Sequence, residues 1–169
     1  VTEDGVLVNQ TWERCSRVLH GKAHGAFLLH ELTRDLPLDF FVLYSAAGLV
    51  LGASGQGVYP AANAELDSLA HARRAAGLPA LSVGWGLWAG GMAGTTQGVW
   101  ESRGLSPIEP AQGFAQLERL LREDATYALV LPIDWRRFLS QLPSGVDRRM
   151  FAAFAQSATP SASSPTRQT

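Results

Sequence analysis

A tyrosine, an asparagine, a serine and a lysine are the residues of this chain whose types and spacing could do chemistry. Tyr59 and Asn63 stand four positions apart in Tyr59-Pro-Ala-Ala-Asn63, and residues four apart share one face of a helix. Both can therefore point into a single cleft. Ser45 closes an apolar run that begins at Phe40, and the Gly-rich loop Gly52-Ala-Ser-Gly-Gln-Gly57 separates it from the tyrosine. A phenol with a hydroxyl and an amide nearby suits proton delivery to a carbonyl oxygen. The cation comes from further upstream. Trp12, Cys15, Leu19, Lys22, Ala26 and Leu29 recur at spacings of three and four, which predicts one helical stripe facing the core. Lysine is rarely fully buried without a partner. Lys22 therefore either snorkels outward or serves a polar site.

The elements that must position these residues follow from the hydropathy pattern. Phe40-Phe41-Val42-Leu43 is continuously apolar, as in a strand covered on both faces. The pattern predicts a helix over about 10–32, a strand over 40–44, the Gly loop, a helix over about 58–76 and a strand over 80–84. A helix over about 110–122, a strand over 127–131 and an amphipathic terminal piece complete the order. In the late helix Phe114, Leu117, Leu120 and Leu121 share one face. Between them, the stretch 86–109 has six glycines and no clear period, the composition of a lid over a site. Strand end, loop and helix start are where open α/β sheets place their ligands.

Composition sets the outer limits. A length of 169 residues, 46% hydrophobic and 17% charged, is one domain of chain. A net charge of −1 gives no electrostatic case for nucleic acid or an anionic membrane. No apolar run approaches a membrane span, and Glu3 and Asp4 stand where a signal peptide would be basic. A cytoplasmic protein is expected. Cys15 reads as a core residue, and one cysteine forms no internal disulfide. The four histidines have no metal-ligand context, so no metal is expected. Asp67, Arg73 and Arg74 read as a solvated helix face, and Ser54 has no local histidine that would make it a nucleophile.

Several ordered motifs resemble the ketoreductase domain of modular type I polyketide synthases, a branch of the short-chain dehydrogenase/reductase superfamily. They begin with Gly21-Lys22-Ala23-His24-Gly25-Ala26, Leu29-His30-Glu31-Leu32-Thr33 and Leu38-Asp39-Phe40-Phe41-Val42-Leu43-Tyr44-Ser45. They continue through Gly55-Gln56-Gly57-Val58-Tyr59-Pro60-Ala61-Ala62-Asn63, Trp85-Gly86-Leu87-Trp88, Gly104-Leu105-Ser106-Pro107-Ile108 and Leu131-Pro132-Ile133-Asp134-Trp135. The resemblance covers residues 1–156, and 157–169 read as a Ser/Thr/Pro-rich linker.

The resemblance implies the C-terminal part of a Rossmann-like, doubly wound parallel α/β sheet. The glycines before Tyr59 belong to the active-site loop of the family, so the Gly-rich phosphate turn that a dinucleotide needs is expected upstream of this chain. The chain is then a fragment, expected to be inactive and without tight NADPH binding by itself. The implied reaction is reduction of a β-ketoacyl thioester by NADPH, the substrate being held on the phosphopantetheine arm of an acyl carrier protein among other synthase domains. Tyr59 would be the acid, and an ammonium beside a phenol favours the phenolate, the part given to Lys22. Asn63 would hold the lysine or a relay water. Trp85 and Gly86 lie where the family's chain passes the nicotinamide, which Tyr59 and Lys22 would also touch. Counting from both sides puts Ala46 at the usual catalytic serine, and Ser45 is expected to serve in its place.

A non-catalytic structural module of the synthase is the alternative, kept open by Ala46. A sugar-nucleotide epimerase fits poorly, because its lysine would stand at Asn63. In the family, an aspartate at the place of Asp4, without a tryptophan at the place of Leu51, goes with a B-type, 3R hydroxyl product.

Overall fold

The computed structural model of the chain describes residues 3, 5–52, 57–91 and 97–157. Asp4 and Ser54 lie outside them, as does the expected linker beyond Ser157. Three parallel strands form one sheet in the order β1 (Val42–Ala46), β2 (Leu81–Trp85), β3 (Tyr127–Val130). Parallel neighbours need crossover helices. Helix α4 (Val58–Ala75) joins β1 to β2, and α6 (Pro110–Arg122) lies between β2 and β3. Ahead of the sheet runs α1 (Trp12–Leu19), one π turn (His20–His24) and α2 (Gly25–Thr33). Thr11 caps α1 by accepting from the Arg14 N–H at 3.4 Å.

Strand side chains alternate between faces, and the register assigns them. Leu43 pairs with Ser82, Ser45 with Gly84, Ser82 with Tyr127 and Gly84 with Leu129. This row lies toward α4, where Leu43 packs with Ala26, Leu66, Ala70 and Ala80. The other row, with Leu81, Val83 and Trp85, packs with Ile108 and Leu120 beside α6. Helices thus cover both faces, the doubly wound α/β arrangement expected. Beyond the strand ends, Ala47, Leu51, Leu105, Phe138, Leu142 and Phe151 form a third cluster. It ties the short α3 (Gly48–Leu51) to α7 (Trp135–Ser140) and to the turn before α8 (Ala152–Ser157).

The structure corrects several readings. The stripe on the first helix does not run straight: Trp12 is 74% exposed and Leu29 56%, whereas Val18 is buried. For Leu29 the π turn explains this, since a wider turn breaks the 3.6-residue phase between α1 and α2; Trp12 is exposed as the first residue of α1. The stretch 86–109 is not irregular throughout. It contains α5 (Gln97–Ser102) and two isolated bridges, Trp88 with Ile108 and Leu105 with Ile133, anchored by the buried Leu105 and Ile108. Phe114 is 60% exposed, so only part of the expected α6 face is covered.

Arg73 is not solvated either. It is 1% exposed, with its guanidinium 3.9 Å over the Phe41 ring, its Nε donating to the Pro79 carbonyl and its Nη1 2.9 Å from His30 Nδ1. The side chain crosses apolar surface to reach polar partners, as long basic side chains can.

Candidate active site

Lys22 sits in the middle of the π turn, where the Gly25 N–H reaches back five residues to the His20 carbonyl. Such turns locally widen a helix and are frequent at functional sites. The side chain is half-buried, and its Nζ lies 5.1 Å from the centroid of the Tyr59 ring. That is cation–π distance. Burial lowers the Lys22 pKa from its ordinary value, and the Asp67 charge works against that shift.

Tyr59 is the second residue of α4 and packs against Val18, Val58 and Ala62. One turn on, Asn63 is fully buried, and its Nδ2 donates to the Tyr59 carbonyl at 2.8 Å. Its Oδ1 is buried with no hydrogen-bond partner. A buried amide oxygen left so costs about 1–3 kcal/mol, so the position is made for a donor that comes from elsewhere. Ser45 is 5% exposed near the end of β1, and its hydroxyl donates to the Asn63 carbonyl at 3.4 Å. β1 turns Ser45, not Ala46, toward α4, because neighbouring strand residues face opposite ways.

Lys22, Tyr59, Asn63 and Ser45 are therefore gathered around the N-terminal end of α4. Trp85 is elsewhere. Its ring lies on the opposite face of the sheet, 5.5 Å from Tyr44 and 4.8 Å from Trp88, and its indole Nε1 is buried without a partner. Gly86 follows at the strand end, its N–H donating to the Val130 carbonyl at 2.8 Å. A Cβ there would come within 2.8 Å of the Leu131 Cβ, so the backbone must stay bare.

Ser82 escaped the sequence reading, and Asp67, expected there on a solvated helix face, is half-buried beside this group. Asp67 continues the four-residue series from Tyr59 and Asn63, and its Oδ1 accepts from the buried Ser82 hydroxyl at 2.6 Å. The spacing was the available signal. A second signal is compositional: Lys22 is the only lysine among fourteen basic residues. An ammonium can shift its pKa and lose a proton, which a guanidinium in practice cannot. Among the described residues, no group of three or more His, Cys, Asp and Glu could hold a metal ion, and no helix is long and apolar enough to cross a membrane.

A three-stranded parallel α/β sheet thus carries a lysine over a tyrosine at the start of a crossover helix. Residues 1–90 match the family model of the KR domain. The pikromycin polyketide synthase component PikAIII of Streptomyces venezuelae is 48% identical over 128 residues, which are 75% of this chain and 8% of that protein. The polyketide synthase GfsA of Streptomyces halstedii is 39% identical over 165 residues, 96% of this chain and 2% of that one. Among solved structures, an A1-type ketoreductase superposes with a TM-score of 0.82 at 36% identity, covering 92% of this chain and 34% of that chain. The first ketoreductase of the tylosin PKS gives 0.77 at 42% identity, covering 83% and 32%. The chain thus spans a small part of the synthases and about a third of the solved ketoreductases. It belongs to the ketoreductase domain family of polyketide synthases.

Proposed function

We propose that these residues supply the proton in an NADPH-dependent reduction of a β-ketoacyl thioester, presented on the phosphopantetheine arm of an acyl carrier protein within a cytoplasmic synthase. The observation that carries this reading is the Lys22 ammonium over the Tyr59 ring, beside an Asn63 oxygen that has no partner. The donor set fits a nicotinamide and its ribose: Lys22 and Tyr59 at the head of α4, with the strand end at Trp85 and Gly86 as a further contact. When bound, that cofactor would give hydride to the β-carbon.

The chain's own residues handle the charge that appears on the oxygen. Tyr59 gives its proton to the developing alkoxide. Lys22 holds its ammonium over the Tyr59 ring, where it faces the charge that develops on the oxygen. Ser45 contributes a hydroxyl donor toward the same oxygen, in the role of an oxyanion donor. Asn63 offers its free Oδ1 to the ammonium or to a water that returns the proton.

Tyr59→Phe in the ketoreductase that carries these residues is the test, read as reduction of a 3-ketoacyl thioester. Loss of turnover with retained cofactor binding is expected. Near-normal turnover would show that Tyr59 is not the acid, whereas a lack of turnover in the unsubstituted domain would support the structural-module reading that Ala46 at the usual serine position keeps open. The stereochemical expectation rests on Asp4, which lies outside the described residues. A predominantly 3S product on chiral chromatography would show that Asp4 does not carry the B-type signal.

A further inference from the structure

The polar face of α4 does not end at Asn63. Tyr59, Asn63 and Asp67 follow each other at four-residue steps, so they line one side of the helix. The third member is held from the sheet: the Ser82 hydroxyl, itself 0% exposed, donates to Asp67 Oδ1 at 2.6 Å. The bond is at the short end of the range for a hydroxyl donor. It fixes one carboxylate oxygen and leaves the other available. The π turn that carries Lys22 packs against α4, with the Lys22 Nζ 5.1 Å from the centroid of the Tyr59 ring.

We propose that Asp67 is a positioning residue: anchored by Ser82, its carboxylate is the counter-charge that keeps the Lys22 ammonium protonated and over the Tyr59 ring. The proposal rests on the reading of Tyr59 as proton donor, and it extends the site by two residues, Asp67 and Ser82.

The electrostatics agree with the placement. Among the described residues, Asp67 is the one charge that acts on Lys22 against the cost of burial. The same carboxylate adds to the burial that raises the Tyr127 pKa on β3, as a negative charge inside this layer should. His20 and His24, on the helix of Lys22 itself, stack on each other with centroids 4.9 Å apart. Without a carboxylate partner, a half-buried ammonium has two escapes: it gives up its proton, or it swings to solvent. Either would leave Tyr59 without its cation.

The single lysine makes a direct test possible. In the chain labelled with ¹³C at the lysine Cε, one resonance reports the Lys22 titration. Asp67→Asn keeps the shape and removes the charge, and it is expected to move that titration to lower pH. Asp67→Glu is expected to restore it in part. Ser82→Ala retains the carboxylate but frees it, and a smaller shift in the same direction is expected. It serves as the reading if Asp67→Asn does not fold. An unmoved titration in a folded variant would overturn the proposal.

Kinetics give the second arm. In the ketoreductase carrying these residues, Asp67→Asn is expected to lower kcat about tenfold at neutral pH, about 1.4 kcal/mol of barrier, with KM near normal. The deficit should widen as pH rises, because the lysine loses its proton earlier. A deficit that stays constant across pH would mark Asp67 as merely structural and overturn the proposal. A Tyr59→Phe control separates the two readings. If that control stays active, the proton-donor reading fails whatever Asp67 does. If it is dead while the Lys22 titration ignores Asp67→Asn, the Asp67 proposal alone fails.

Discussion

The two faces of the sheet are built from the same three strands, yet they bury different chemistry. Toward α4, the strands contribute Ser45 and Ser82, and the helix answers with Asn63 and Asp67. Toward α6, the strands contribute Leu81, Val83 and Trp85, which meet Ile108, Leu120 and Trp88. Close packing governs the second face: a Cβ on Gly113 would come within 2.2 Å of the Trp88 ring. On the first face, polar groups sit in a layer where an unmade hydrogen bond is costly. A strand that alternates with period two can serve both ends, because neighbouring residues never share a side. One face is free to be reactive because the other is dedicated to stability.

Substitutions should divide along that line. On the polar face, Tyr59→Phe is expected to lower turnover about 10²–10⁴-fold, the range for loss of a general acid, with little change in melting temperature. Ser45→Ala should cost about 10²–10³-fold if its hydroxyl serves the substrate oxygen, and a silent substitution would remove Ser45 from the site. On the apolar face, Leu120→Ala should do the reverse. It is expected to cost about 2–5 kcal/mol of stability in denaturant titration, while turnover of the folded fraction stays normal. A large rate loss there would mean that the faces are coupled.

The smallest effect concerns stability on the reactive face. Burial lowers the Lys22 pKa in the fold below the ordinary 10.5 of an unfolded chain. The unfolded state therefore binds this proton more tightly, and the charged lysine weakens the fold at neutral pH. As pH rises through the folded-state pKa toward 10.5, that handicap fades. Lys22→Met is expected to melt above wild type at pH 7, with the gap closing as pH is raised. A gap that widened with pH would reverse the sign of the argument.

The alternation of elements was legible because the apolar runs at 40–44, 80–84 and 127–131 differ in period from the segments between them. So was the grouping of Tyr59 with Asn63, a property of helix geometry alone. Arg73 was misread for an instructive reason. Its spacing from Ala62, Leu66 and Ala70 places it on the buried face, but its charge argued for solvent. Only the tertiary partners, Phe41, Pro79 and His30, show how that charge is accommodated. The break in the first helical stripe was hidden too, since nothing in His20-Gly-Lys-Ala-His24 announces a wider turn to a count based on 3.6.

The lone lysine has a practical side. Reagents that modify side-chain amines usually scatter over many surface lysines, but here the sequence offers them one side-chain amine, the half-buried Nζ at the head of α4. An amine whose proton is held less tightly is also a better nucleophile at neutral pH. Acylation, reductive methylation or amine coupling to a solid support would therefore not decorate this molecule at random. Each would write directly into its reactive face, and thiol coupling would too, because Cys15 packs in the same cluster as Tyr59; attachment through exposed arginines would leave that face intact.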